Sequence, residues 1–206
     1  MSIYRTFYDF CSNLKMSQET VKTISTRYDS IIKRINSGYW SNSSISHGLY
    51  VGSYGRDTEI WTSDIDIIAE LPPDIYWTYK GYSNNGPSSL IQHVKESLKI
   101  TFSQSKIRGD GQVIIIDFSD GITFEIVPAF LNKDESTYTY PDSNNGGTWK
   151  VTKPREEISA INLRNNSSNK NLKNLCRMIR AWKVTNNVNI SGMLIDTLAH
   201  EFIYDW

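Results

Sequence analysis

The fold of this chain is decided by residues 52–67, which read GSYGRDTEIWTSDIDI. Side chains alternate along a β-strand, so Asp64 and Asp66 point to the same face of the predicted strand. Two carboxylates side by side repel each other unless a cation lies between them. The Gly52-Ser53 turn, separated from Asp64 by ten residues, can hold a phosphate group. The stretch therefore predicts a divalent-metal site for nucleotide chemistry.

A β-hairpin is predicted later in the chain, around Asp120-Gly121. This dipeptide is a strong turn signal, and apolar runs at 112–119 and 122–130 flank it. A two-residue turn would pair residue 116 with residue 125. We therefore expect adjacent antiparallel strands on either side of the turn.

Transfer chemistry with two metal ions generally needs a third carboxylate, and the hairpin offers two. The expected pairing puts Asp117 and Glu125 on opposite faces, so only one of them can point at the site. We favour Glu125, because its apolar neighbours match those of Asp64 and Asp66. Asp117 stays open as the alternative.

Length and composition limit the function classes. A chain of 206 residues with 39% hydrophobic residues forms one domain, or one domain and part of another. Lys plus Arg and Asp plus Glu both number 22, so a sequence-independent grip on nucleic acid is disfavoured. The sequence shows no secretory signal and no apolar run near the roughly 20 residues of a membrane span. We expect a cytoplasmic protein with Cys11 and Cys176 as buried free thiols.

The hydrophobic pattern predicts an α+β fold with helices at both ends. A helix over 17–36, capped by Ser17, follows a shorter helix. The apolar side of the shorter helix carries Tyr4, Phe7, Phe10 and Leu14. The central part is predicted to contain strands at 48–51 and 64–71, a short helix at 54–59, an aromatic loop at 74–89 and a helix from Ser88 or Ser89 to 99.

The C-terminal part is predicted to be helical. One helix covers 170–184, and another runs from 192 to the end. The apolar side of the last helix is expected to carry Met193, Leu194, Leu198, Phe202 and Ile203. The pattern divides the chain into N-terminal helices at 1–37, a central region at 38–154 and the start of a helical region at 155–206.

Several other residues have two interpretations. Arg56 can brace a phosphate or pair with Asp57 or Glu59. Lys183 can reach a triphosphate, although a single lysine on a helix is more often solvated. The aromatic residues of the predicted 74–89 loop can stack on a base, but packing on the core is the commoner arrangement for such a set: Tyr76, Trp77, Tyr79 and Tyr82.

The motifs together resemble a known family. The pattern of Gly52-Ser53, Arg56, Thr58 and the Asp-Ile-Asp at 64–66 is similar to the signature of polymerase β-type nucleotidyltransferases. More narrowly, the chain resembles the bacterial cGAS/DncV-like nucleotidyltransferases (CD-NTases), which carry a SMODS domain. Three further stretches add to the likeness: FEIVPA at 124–129, WKVTKP at 149–154 and NLKNLCRMIRAWK at 171–183.

The resemblance implies a fold, an activity and a set of site residues. The central region would be a nucleotidyltransferase palm, with a small mixed sheet and helices. Asp64, Asp66 and Glu125 would bind two Mg²⁺ or Mn²⁺ ions and act as the catalytic carboxylates. Nucleotide binding would fall to Gly52, Ser53, Arg56 and Lys183. The family joins nucleoside triphosphates (ATP, GTP, CTP or UTP) into cyclic second messengers in antiphage defence.

Further expectations follow from the same resemblance. Partners would be nucleoside triphosphates and regulatory proteins of a defence operon, with no membrane. Two features depart from the family pattern: Glu125 stands where Asp is frequent, and family members have more C-terminal helices, so we expect the natural protein to continue beyond Trp206. The alternatives are a linear nucleotidyltransferase that modifies protein or RNA, and a catalytically silent nucleotide sensor.

Overall fold

The structure is a computed structural model that describes residues 2–61 and 64–205, apart from the side chains of Tyr4 and Asp205. Its described part contains one mixed sheet flanked by helices. The strands are β1 (Gly48–Tyr50), β2 (Ile65–Glu70), β3 (Lys106–Asp110), β4 (Val113–Asp117), β5 (Thr123–Leu131), β6 (Tyr138–Asp142) and β7 (Thr148–Thr152). The helices are α1 (Ile3–Asn13), α2 (Gln18–Tyr39), α3 (Gly52–Gly55), α4 (Pro73–Lys80), α5 (Gly86–Thr101), α6 (Pro154–Ser167), α7 (Asn171–Thr185) and α8 (Gly192–Phe202).

The order of the strands places the predicted site at the centre of the sheet. The main path runs β1-β2-β5-β4-β3, and β6 and β7 extend it beside β5. Only the β2–β5 pair is parallel among the strand pairs of the described residues; the others are antiparallel. The central position of β2 and β5 explains why their sequences are nearly continuous apolar runs.

The main core lies between the sheet and helices α2 and α5. Every second residue of β2 and β5 points into it, and buried isoleucines of α2 pack against them. The amphipathic pattern of α2 was therefore predicted correctly, and its Ser17 cap accepts a hydrogen bond from the Thr20 N–H at 3.1 Å. The opposite face of β2 and β5 carries the acidic residues, because the side-chain period is two.

The segment after β2 is the clearest error in the predicted elements. The predicted 74–89 loop contains α4, which begins after Pro72, and α5 begins already at Gly86 with Asn85 as its cap. Pro73 lies in the first turn of α4, where proline favours helix formation. The prediction failed because the aromatic residues of this stretch were interpreted as part of a loop. Packing on the core is confirmed for Tyr76 and Tyr79, whereas Trp77 is 64% exposed.

Two smaller differences concern the short helices α3 and α1. The predicted 54–59 helix is the four-residue α3, which already includes Gly52 and Ser53. In α1, Leu14 and Cys11 are buried, but Phe7 and Phe10 are exposed, so the predicted apolar side is only partly correct. Tyr4 lies outside the described side chains.

The predicted apolar side of α8 is mostly wrong. Met193, Leu194, Leu198 and Phe202 are exposed, and only Ile203 of that set is buried. The helix instead buries Ile195, Asp196 and Ala199. Asp196 makes ion pairs with two arginines, and these contacts determine which side of the helix faces the protein.

The two cysteines are buried free thiols, as expected. Among the described residues, no helix is both long enough and apolar enough to cross a membrane.

Candidate functional site

A cavity of about 380 Å³ lies between the sheet and the C-terminal helices. The lining comes from α3, from the start of β2, from β5 and from α7 and α8. It contains all of the predicted site residues: Gly52, Ser53, Arg56, Asp64, Asp66, Glu125 and Lys183. These seven residues, which are spread over positions 52 to 183, thus lie around one cavity.

The register of β2 and β5 brings two carboxylates together. Asp66 lies directly opposite Glu125 in the parallel pair, and Ile65 lies opposite Phe124. Residues paired in this way project to the same face of the sheet. Asp64 precedes Asp66 by two positions and follows the same alternation. The three acidic residues are therefore neighbours on the face that turns away from the main core.

The hairpin register corrects the expected geometry of Asp117. Phe118 pairs with Ile122 through a hydrogen bond at 3.1 Å, and Asp117 pairs with Thr123. The loop thus has three residues and ends in Gly121 at a φ of 87°, the conformation of a hairpin with a glycine bulge. Ile115, rather than residue 116, lies opposite Glu125.

The elimination of Asp117 by face was therefore wrong. Asp117 and Ile115 share a face because they are two residues apart, so Asp117 lies on the same side as Glu125. The position of Asp117 is nevertheless different: it makes an ion pair with Arg108, accepts a hydrogen bond from Thr123 and is absent from the cavity lining. Glu125 lines the cavity and lies beside Asp66.

The pKa of each of the three carboxylates that line the cavity is raised above its usual value. Burial, followed by repulsion from Glu125 and Asp64, raises the pKa of Asp66 to about 7. Burial and then Asp64 raise the pKa of Glu125, and burial and then Asp117 raise that of Asp64. Within the described residues none of these three side chains has an ion-pair partner. Arginines nearby offset the charges only in part: Arg56 and Arg180 act to lower the pKa of Asp66, and Arg108 acts to lower the pKa values of Asp64 and Glu125.

Gly52 lies against this acidic group. Its φ of 59° is in the left-handed region, which favours glycine. A Cβ at this position would lie 1.8 Å from Oδ2 of Asp66. Both the backbone conformation and the close approach therefore require glycine here.

Ser53 follows in the first turn of α3, where backbone hydrogen bonds hold the loop. The Thr58 N–H donates to the Ser53 carbonyl at 3.0 Å, and the Arg56 N–H donates to the Gly52 carbonyl at 3.2 Å. The turn thus keeps a fixed shape beside the carboxylates.

Arg56 makes contacts that the sequence did not suggest. Its Nε donates to Asp196 at 2.8 Å and its guanidinium pairs with Glu157 at 3.2 Å. The expected pairing with Asp57 or Glu59 was wrong, since those two residues pair with Arg177. Arg56 also lines the cavity, so its alternative role at a phosphate stays a prediction.

Two functional candidates were missed. Arg180 lines the cavity together with Lys183, and their spacing of three residues on α7 places them on one helix face. That spacing was a usable signal. Asp196 was missed because a single acidic residue on a helix gives no signal of its own. Lys183 lines the cavity without an ion-pair partner among the described residues.

The carboxylates fit a divalent cation by their chemistry. Oxygen donors are what Mg²⁺ prefers, and it usually binds through one or two carboxylates together with substrate phosphates and water. Repulsion between Asp66 and Glu125, and the space kept open by Gly52, favour a cation at this point. Among the described residues, no three acidic, histidine or cysteine side chains converge closely enough to hold a metal ion alone. Ligands from the substrate would complete such a site.

Solved structures show the same fold. The DncV cyclic AMP-GMP synthase of Vibrio cholerae, in complex with the linear intermediate 5′ pppA(3′,5′)pG, aligns with a TM-score of 0.73 at 14% identity over 93% of this chain and 69% of that one. CdnC of E. coli MS115-1, in a complex with HORMA-deltaN, aligns with a TM-score of 0.69 at 12% identity over 98% of this chain and 64% of that one. The fold is that of a polymerase β-like nucleotidyltransferase.

The sequence comparisons identify a family, whereas the solved structures show only the fold. A probable cyclic nucleotide synthase, IK1_05630 of Bacillus cereus (strain VD146), is 25% identical over 146 residues, which are 66% of this chain and 44% of that protein. The model of the Second Messenger Oligonucleotide or Dinucleotide Synthetase (SMODS) domain matches residues 1–165. The chain therefore belongs to the SMODS family, and it spans less than half the length of that curated relative.

Proposed function

We propose that this protein is a metal-dependent nucleotidyltransferase that joins nucleoside triphosphates into a cyclic oligonucleotide and releases pyrophosphate. The observation that carries the proposal is the group of carboxylates without ion-pair partners among the described residues, Asp64, Asp66 and Glu125, in a cavity that also holds the Gly52-Ser53 turn and Lys183. Neighbouring carboxylates that are unpaired and partly removed from water cost stability, so a protein keeps them together when a cation and its ligand occupy the space.

The proposed roles follow from position. Asp64, Asp66 and Glu125 hold Mg²⁺ or Mn²⁺, with two ions as the expected number. Bound there, the metal would neutralise phosphate charge and favour ionisation of the acceptor 3′- or 2′-hydroxyl. The Gly52-Ser53 turn and Lys183 orient the triphosphate, so that catalysis consists of positioning and charge stabilisation.

The family supports the type of product. Its name describes a synthetase of oligonucleotide or dinucleotide second messengers, and the DncV structure contains a linear intermediate with a 5′-triphosphate. We propose ATP as one substrate, with GTP, CTP or UTP as others. A cytoplasmic location, a role in antiphage defence and a regulatory protein partner, as in the CdnC complex with HORMA-deltaN, belong to the same proposal.

The test is an incubation of the protein with all four labelled nucleotides and Mg²⁺ or Mn²⁺. A phosphatase-resistant small product, identified by mass spectrometry together with released pyrophosphate, supports the proposal. Label that stays on protein or RNA would instead support a linear transferase. Triphosphate binding without pyrophosphate release would identify a silent sensor and contradict the proposal.

A further inference from the structure

Asp196 is the most completely enclosed acidic side chain near the cavity. It lies on α8, is 1% exposed and accepts four hydrogen bonds from three side chains. Arg180 donates to Oδ1 at 2.6 Å and to Oδ2 at 3.0 Å. Arg56 Nε donates to Oδ2 at 2.8 Å and the Thr58 hydroxyl donates to the same oxygen at 3.0 Å. One carboxylate thus joins the palm to two C-terminal helices.

The two arginines that Asp196 holds both line the cavity. A guanidinium has five N–H donors in a fixed plane. Within the described residues Arg56 uses two of them, for Asp196 and Glu157. Arg180 uses three, for the two oxygens of Asp196 and the Gly192 carbonyl. Both side chains therefore keep N–H groups for a further acceptor in the cavity.

Fixed donors bind an anion better than mobile ones do. A free arginine samples many rotamers, and ordering it costs entropy when the ligand binds. The bidentate contact with Asp196 orders Arg180 before binding, and the contact at Nε fixes the plane of Arg56. The Thr58 hydroxyl in turn fixes the carboxylate. Both guanidinium groups are therefore held in fixed orientations in the same cavity as the Gly52-Ser53 turn before a ligand binds.

We propose that Asp196 is a positioning residue, which holds Arg56 and Arg180 so that their remaining N–H groups bind the phosphate chain of the substrate. The inference rests on the proposed function, because it takes a triphosphate as the ligand of the cavity. Asp196 does not touch the ligand itself, and it acts through the two guanidinium groups.

A second acidic residue at the same junction provides a matched control. Asp57 also joins the palm to α7, through ion pairs with Lys173 at 3.0 Å and with Arg177. Neither of these partners lines the cavity. Asp57 has a φ of 55°, which asparagine tolerates well. Asp57→Asn therefore removes two ion pairs to α7 without disturbing the arginines of the cavity.

The experiment compares the wild type, Asp196→Asn, Thr58→Val and Asp57→Asn by calorimetric titration with inorganic tripolyphosphate and with adenosine, at constant Mg²⁺. For Asp196→Asn we expect tripolyphosphate to bind about tenfold more weakly, the factor typical of one lost charge-assisted hydrogen bond, while adenosine binds as before. Asp57→Asn should leave both affinities unchanged. The sign is informative: removing a negative charge would by itself strengthen anion binding.

Three results would overturn the inference. These are an unchanged or increased tripolyphosphate affinity in Asp196→Asn, an equal loss for tripolyphosphate and adenosine, and no tripolyphosphate binding by the wild type. If circular dichroism shows that Asp196→Asn does not fold, Thr58→Val decides, with a smaller loss expected and an unchanged affinity contradicting the proposal. Pyrophosphate release by the wild type is measured in parallel, and its absence refutes the proposed function while the binding comparison still decides the role of Asp196.

Discussion

Acidic side chains lie in two neighbouring regions of this protein, and their surroundings differ. Asp64, Asp66 and Glu125 line the cavity without ion-pair partners among the described residues. Asp196 lies behind the cavity and is surrounded by hydrogen-bond donors. The carboxylates of the first region range from exposed to half-buried, whereas Asp196 is 1% exposed and its hydrogen bonds to protein donors replace the hydration that it loses. The first region is suited to binding a cation, and the second to holding a geometry.

This comparison predicts opposite consequences of neutralisation. In the cavity, neutralising a carboxylate removes repulsion and should spare the fold while it removes activity. At Asp196, neutralisation leaves two buried guanidinium groups poorly paired and should reduce stability.

The double variant Asp64→Asn with Asp66→Asn should abolish product formation and leave the fold intact. The substitution removes the negative charge that would hold the metal, and it also removes the repulsion of Asp64 and Asp66 from each other and from Glu125. Product is measured by mass spectrometry and unfolding by thermal denaturation. Retained activity would refute the assignment of Asp64 and Asp66 as metal-binding residues. A large fall in melting temperature would show that their charges stabilise the fold, contrary to this prediction.

Glu125→Gln and Asp117→Asn separate the two candidates for the third carboxylate. Glu125→Gln should lower the rate by about a hundredfold or more, because it removes a direct neighbour of Asp66. Asp117→Asn should change the rate by less than about tenfold, since Asp117 is already paired with Arg108. Initial rates of pyrophosphate release give the comparison. The reverse order would assign the role to Asp117.

Gly52→Ala and Gly121→Ala separate a collision from backbone strain. Both glycines have positive φ, at 59° and 87°, so alanine at either position should cost about 1–2 kcal/mol. At Gly52 the new Cβ would lie 1.8 Å from Oδ2 of Asp66, whereas a Cβ at Gly121 would have no atom beyond its chain neighbours within 4 Å. We expect Gly52→Ala to lose activity and Gly121→Ala to lose only stability. Similar activities in the two variants would contradict this assignment of Gly52.

The raised pKa of Asp66 predicts a pH dependence of stability in the absence of divalent metal. Its pKa is about 7 in the folded protein and close to 3.8 when the chain is unfolded. Between these values the folded state keeps a proton that the unfolded state has lost, so the free energy of unfolding falls as the pH rises from about 4 to about 7. Below this window the group has no effect, and above it the destabilisation is complete.

Chemical denaturation of the wild type and of Asp66→Asn at pH 4, 5, 6 and 7 checks this dependence. Asp66 should contribute at most about 1.4 kcal/mol per pH unit to the slope, so the fall in the free energy of unfolding should be less steep in the variant. Addition of Mg²⁺ at pH 7 should stabilise the wild type more than the variant. An identical pH profile for the two proteins would contradict the raised pKa of Asp66.

The motif residues were largely predictable from local patterns. Asp64 and Asp66 fall on one face because the period of a strand is two, and Glu125 was selected from its apolar flanks. The register of the hairpin was not predictable, because Asp120-Gly121 is compatible with both a two-residue and a three-residue loop. This single residue of register reversed the expected face of Asp117.

The helices show where the hydrophobic pattern fails. Helix α2 was predicted with its correct buried side, since its apolar stripe packs on the sheet. On α8 the apolar stripe is exposed and a charged residue is buried. Asp196 is bonded to Arg180, 16 residues away, and also to Arg56 and Thr58, which are 140 and 138 residues away and lie outside any local window of sequence.

The sequence alone determined the approximate positions of β1, β2, β4 and β5 and of α2, α5, α7 and α8, and the shared face of Asp64 and Asp66. These follow from side-chain periodicity and turn chemistry, which act over a few residues. Tertiary structure decided that Asp66 lies beside Glu125 and that Asp196 holds Arg56 across a separation of 140 residues. Such contacts depend on strand register and on the pairing of buried charges, which only the folded chain brings together.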